Sequence, residues 1–212
     1  MGKMYDSLLS GTSGRTGKVV VANVYGNEIT RVRPRRKKED GTLKQQLIRQ
    51  RMVMCVNFME SYRTYACKYF GERSGMKSTY NLAMANVLKN FIIDDDASTI
   101  TPNYGGIQFS KGKLLAVIPL ALALPSADAL EVNWTDNSGG NPDRALDQAQ
   151  VLVAAEGDTT TFFAENMATR SAQTVSVPLP VQFQGKTLHV WMAFKSADEE
   201  QASNSVYLGS IS

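Results

Sequence analysis

Residues 129–136 read ALEVNWTD. Leu130, Val132 and Trp134 alternate with Glu131, Asn133 and Thr135, the period of a strand with one face in a core. The pattern extends to both sides. Upstream, IQFS and KLLAVIPLALALP (107–125) supply one or two more strands. Downstream follow QAQVLVAAE (148–156), TTTFFAEN (159–166), RSAQTVSVPLP (170–180), KTLHVWMAFKS (186–196) and NSVYLGSI (204–211). Turn material separates them, including Gly157-Asp158 and the acidic DEE at 198–200. About seven short strands with no helix between them predict an antiparallel β-sandwich of immunoglobulin- or fibronectin-like type. Trp134 suits the buried tryptophan of such a core. The two cysteines, Cys55 and Cys67, lie outside this half, so a disulfide-bridged antibody-type domain is excluded.

The front of the chain has a different period. Residues 43–70 contain neither Pro nor Gly. The stripe Ile48, Met52, Cys55, Met59, Tyr62, Ala66, Tyr69 steps by four and three, which predicts one long amphipathic helix. Leu47, Met54, Phe58 and Tyr65 widen its apolar face. GERSG (71–75) breaks it, and Ser78 is positioned to cap a second helix over 79–92. Ahead of the helices, VVVANVYGNEITRVR (19–33) reads as a hairpin with strands near 18–25 and 28–33. The expected fold is therefore α+β: a β-hairpin and a helical hairpin over 1–104, then a sandwich over 105–212.

The motifs occur in a particular order. GRTGKVVVANVYG precedes RVRPRRKK, then LKQQLIRQR, then LEVNWTDNSGGN, and the chain closes on VWMAFKSADEEQASNSVYLG. This order resembles a family of uncharacterised proteins from Bacteroidales, a domain of unknown function. The resemblance spans nearly the whole chain. Members usually carry Gly-x-Val-Gly where this chain has Gly17-Lys18-Val19-Val20. The resemblance implies architecture and provenance, and brings no activity, cofactor or catalytic residue.

Net charge is +3, unevenly spread. Residues 1–75 hold 15 Lys/Arg against 6 Asp/Glu, and residues 76–212 hold 8 against 14. The two parts meet partners differently, and could attract each other within or between molecules. No apolar run is long enough to span a membrane, and Pro119 interrupts the longest, LLAVIPLALAL. The N-terminus lacks the apolar segment of a signal peptide. A cytoplasmic location is the default expectation, and two thiols too far apart along a helix to bridge fit a reducing compartment.

Candidate chemistry is sparse. GTSGRTGKVV (11–20) evokes a phosphate loop, but G-x-x-x-x-G-K-[ST] needs Gly at Thr12 and Ser or Thr at Val19. Glycines that let the chain turn are the simpler account. His189, the single histidine, shares a strand face with Trp191 and Ala193, with no nucleophile or orienting acid evident beside it. Asp94, Asp95 and Asp96 lack the alternate spacing of a calcium loop, and one His with two distant Cys cannot build a zinc site. Asn133-Trp134-Thr135 is formally a glycosylation sequon. No catalytic, metal or cofactor-binding residue is assigned, and no small molecule is implied. What remains is an electrostatic patch: Arg31, Arg33, Arg35, Arg36, Lys37 and Lys38. It could hold nucleic-acid phosphates, with Tyr25, Tyr62 or Tyr65 to stack on bases. It could equally be a solvated link, or dock on an acidic protein surface. The leading expectation is a non-enzymatic structural or protein-interaction module, self or other, with nucleic-acid binding as the alternative and an enzyme as the remote one.

Overall fold

The computed structural model describes residues 2–4, 9–33 and 41–212. The chain divides into two compact units, 1–41 and 42–212. The first is a small antiparallel sheet of β1 (Gly2–Met4), β2 (Gly14–Thr16), β3 (Val19–Val24) and β4 (Asn27–Val32), in the order β1-β4-β3-β2. The expected hairpin is present as β3 and β4. Its turn falls on Tyr25-Gly26, one residue earlier than the sequence pattern suggests, because Val24 pairs with Asn27. Both turn residues have positive φ, 51° and 80°, as a type I′ turn requires. The Asn23 side chain accepts a bond from the Gly26 N–H at 2.9 Å. Gly17, at φ 59°, and Lys18 form a second two-residue turn that joins β2 to β3. A lone hairpin is marginal in water, and β1 and β2 supply the additional strands.

The second unit opens with α1 (Leu43–Glu60), capped by Thr42. The single helix expected over 43–70 is two helices, with α2 at Arg63–Tyr69. The break is imposed from far along the chain. Thr161 Oγ1 donates to the Phe58 carbonyl at 2.8 Å and lies 2.5 Å from Ser61 Oγ. That carbonyl is the one a continuous helix offers to the Tyr62 N–H. Cys55, Met59, Tyr62, Ala66 and Tyr69 are buried as the stripe predicts, but Ile48 and Met52 are 46% and 43% exposed. In the first turns Leu47 faces inward instead. α3 (Thr79–Asn90) follows, with Ser78 accepting from the Asn81 N–H at 3.2 Å. A short hairpin of β5 (Phe91–Asp94) and β6 (Thr99–Pro102) follows, so the second helix stops at Asn90 and not at residue 92 as expected. Asp94 Oδ1 closes it by accepting from the N–H groups of Asp96 and Ala97.

The strand runs then appear in order: β7 (Pro119–Ser126), β8 (Ala129–Trp134), β9 (Gln148–Ala155), β10 (Thr161–Ala164), β11 (Thr174–Pro178), β12 (Leu188–Lys195) and β13 (Val206–Ile211). A single helical turn, α4 (Pro142–Ala145), lies between β8 and β9. The strands form two open antiparallel sheets, β11-β8-β7 and β10-β9-β12-β13, neither closed into a barrel. Residues 107–118, expected to hold strand, make only isolated bridges, Lys111 with Phe70 and Leu114 with Ser203, supplemented by side-chain bonds such as Ser110 Oγ to the Ser203 carbonyl at 2.8 Å.

Alternation along β9 and β12 makes two cores. Val151, Val153, Val190, Met192 and Phe194 meet Leu130, Val132, Trp134, Val175 and Val177 of the other sheet. Leu152, Ala154, Trp191 and Ala193 meet Phe58, Tyr62 and Val87 of the helices. The central strands are thus buried on both faces, and the unit is three layers: helices, sheet, sheet. Trp134 is fully buried, and its indole N–H donates to the Arg170 carbonyl at 2.8 Å.

Candidate functional site

Strand register places the cations of the N-terminal sheet. Lys3 of β1 pairs with Ile29 of β4. Arg31 of β4 pairs with Val20 of β3, and Arg15 of β2 pairs with the same Val20. Directly paired residues point to one side of a sheet, as do residues two apart on a strand. Lys3, Arg15 and Arg31 therefore share a face. Arg33 continues that alternation just past β4, where its N–H donates to the Lys18 carbonyl at 2.9 Å. All four side chains are exposed. Neighbouring strands lie about 4.8 Å apart, so Arg15 and Arg31 stand about 10 Å apart across Val20.

The opposite face carries Val21, Thr30 and Glu28. Glu28 is the one acidic residue among the described residues of this unit. Its carboxylate accepts from Ser10 Oγ at 2.8 Å and from the Gly11 N–H at 2.6 Å. The acid is thus turned away from the cations and engaged by a turn of its own chain. Among the described residues, the result is a sheet face of one sign.

Of the sequence-predicted patch, Arg31 and Arg33 fall on this face. Arg35, Arg36, Lys37 and Lys38 lie outside the described residues. Lys3 and Arg15 join the face without belonging to the charged run, and only the pairing of β1 and β2 reveals them. Of the tyrosines considered for stacking, Tyr62 and Tyr65 are 0% and 4% exposed and belong to the helix-side core. Tyr25, at the hairpin tip, is 54% exposed.

His189 Nδ1 lies 2.8 Å from the Tyr207 hydroxyl, and the Tyr104 ring stacks on the imidazole at 3.7 Å and 18°. Its Nε2 is buried without a partner. Burial holds its pKa below the usual value, against the pull of Glu156. Burial likewise pushes the Cys55 thiol up to about 11, which leaves it protonated and inert. An open groove of about 620 Å³ is lined by Lys68, Lys111 and Lys113 together with Glu72 and Glu200. Lys113 is paired with Glu72 at 2.7 Å, so the groove is of mixed sign. Among the described residues no three His, Cys, Asp or Glu side chains cluster closely enough to hold a metal. Among them, too, no helix is long and apolar enough to cross a membrane.

These features describe a mixed α/β chain with open antiparallel sheets and a cationic sheet face at its N-terminus. Over residues 11–209 the chain matches a family of unknown function (DUF6266), and it belongs to that family. No curated protein and no solved structure matches it.

Proposed function

We propose that the chain is a non-enzymatic interaction module that docks through the cationic face of its N-terminal sheet. The observation that carries this is the segregation of Lys3, Arg15, Arg31 and Arg33 from Glu28 by strand register. A one-signed face raises the local concentration of an oppositely charged partner and speeds its association. The partner in the leading reading is an acidic protein surface, of another molecule or a second copy. Nucleic acid is the second reading, favoured by the exposed Tyr25 on the same sheet.

The test replaces Lys3, Arg15, Arg31 and Arg33 by Gln in the full chain and compares retention on a phosphate matrix and sedimentation mass. The wild type is retained and elutes with salt, and the variant flows through with an unchanged circular dichroism spectrum. Equal retention of both would refute docking through this face.

The proposed architecture of the second unit is an immunoglobulin- or fibronectin-like sandwich. Its support is strand order. Taken as A to G, the seven strands give A-B-E in one sheet and C-F-G in the other, with the fourth strand beside C. The division into a front part, 1–104, and a back part, 105–212, is proposed on the change from helical to strand period near residue 107. A cytoplasmic location is proposed on the two thiols that lie too far apart to bridge, and an origin in Bacteroidales on the order of the sequence motifs.

A further inference from the structure

Residues 119–125 read PLALALP, the same in both directions. They make up most of β7, and β7 ends its sheet: among the described residues no strand pairs on its far side. We propose that β7 pairs antiparallel with β7 of a second copy about a two-fold axis at Leu122, joining two three-stranded sheets into one of six. The surface lies in the second unit, and the proposal does not rest on the docking reading above.

Backbone direction supports it. The Trp134 N–H donates to the Gln173 carbonyl just before β11, and the Thr135 N–H to the Ile118 carbonyl just before β7, each at 3.0 Å. Backbone groups alternate in direction along an antiparallel strand, so Glu131 and Asn133, like Thr135, turn theirs to β7. Their partners Ala123 and Ala121 spend their own on β8. Leu122, between them, turns its N–H and C=O to the open edge. Two copies meeting there exchange a pair of bonds between their Leu122 residues. A two-fold interface sets residue i against j and j against i, and the palindrome makes each such pair like with like.

Charge and burial favour a second copy as the occupant. The edge strand of the other sheet, β13, runs beside β7. Residues 114–127 and 203–212 hold no Asp, Glu, Lys or Arg. A charged partner finds no counter-charge on this side, while a second copy meets no like charge. Leu122, Leu124, Leu208 and Ile211 are only partly buried against the core between the sheets, and Ile118 and Leu120 are 50% and 68% exposed. An edge so apolar and uncharged is a template for pairing. Pro119 and Pro125 have no N–H to give, and the register shifts beside them blunt the ends. Pairing is confined to the residues between, and because each copy's edge is then used up, assembly stops at two.

The experiment is sedimentation equilibrium of the full chain across the micromolar range. The wild type rises from 23.3 kDa toward twice that mass. Leu120→Lys puts a charge into the pairing edge at an exposed position, so the dimer weakens about tenfold with an unchanged circular dichroism spectrum. Cross-linking in a Cys67→Ser background reads the register. Under oxidation, Ala121→Cys chains mixed with Ala123→Cys chains form disulfide dimers, and neither does so alone, because residue 121 stands opposite residue 123 of the second copy. A wild type that stays at 23.3 kDa overturns the proposal. A dimer that Leu120→Lys leaves intact, or a mixture that does not cross-link, also overturns it by placing the contact elsewhere.

Discussion

The guanidinium of Arg170 lies over the ring of Phe194, 3.9 Å from its centroid, and is fully buried. Its Nη2 and Nε donate to Asp147 Oδ2 at 2.8 and 3.2 Å, and Nη2 also donates to the Leu115 carbonyl at 3.1 Å. Nη1 donates to Asn137 Oδ1. One side chain thus ties the 137–147 loop, the 115 segment and β12 together. Removing one partner of a buried pair strands the other charge, at about 3–5 kcal/mol. Asp147→Ala therefore lowers unfolding free energy by about that amount in urea titrations. Arg170→Met with Asp147→Leu recovers most of the loss. A double variant as unstable as the single one would show that the pair stabilises more than apolar packing can replace.

Gly112 lies against the backbone of Ala202. A Cβ at residue 112 would meet the Ala202 carbonyl oxygen at 1.9 Å, while one at Gly105 meets nothing nearer than 3.7 Å. Gly112→Ala costs about 2–3 kcal/mol, because backbone must move. Gly105→Ala is close to neutral. Thermal melts of the two variants compare them directly, and equal melting temperatures would place the 112–202 contact wrongly.

His189 links stability to pH. Its folded pKa is depressed by burial. As pH falls, the unfolded chain takes up a proton first, so protonation favours unfolding. The contribution is fully present above the ordinary histidine pKa of about 6.5 and is lost as pH falls from there toward the folded value. Denaturant midpoints between pH 7.5 and 5.5 should fall, and His189→Phe should flatten part of the fall. A midpoint that rises on acidification would contradict the assignment.

The two thiols separate cleanly. Cys55 is buried with its pKa pushed up to about 11, and Cys67 is exposed. Alkylation of the native protein at pH 7.5 yields one adduct, at Cys67, by peptide mass mapping. Modification of Cys55 at a similar rate would mean that the helix-side core opens readily.

The strand runs from 119 onward were legible because alternation with bounding turns is a local signal, and His189 was placed on its correct face for the same reason. What eluded local reading depends on distant partners. Thr161 takes up the Phe58 carbonyl in the last turn of α1, 103 residues away. β1 and β2 are three-residue strands, GKM and GRT, recognisable only through their pairing with β4 and β3. β5 and β6 flank an acidic turn whose charges mask the hairpin. The candidate site was half visible. Arg31 and Arg33 stand in a conspicuous basic run, but Lys3 and Arg15 join them only once register is known. Leu47, read as widening the apolar face, is buried, whereas the exposure of Ile48 was hidden because both residues are apolar and adjacent.

The most direct test of the cationic face is a residue-resolved NMR titration of the full chain with an acidic peptide, polyglutamate. The account predicts shifts concentrated at Lys3, Arg15, Arg31, Arg33 and Tyr25, with β8, β9 and β12 unmoved. Shifts centred on the sheets of the second unit, with the N-terminal strands silent, would contradict it.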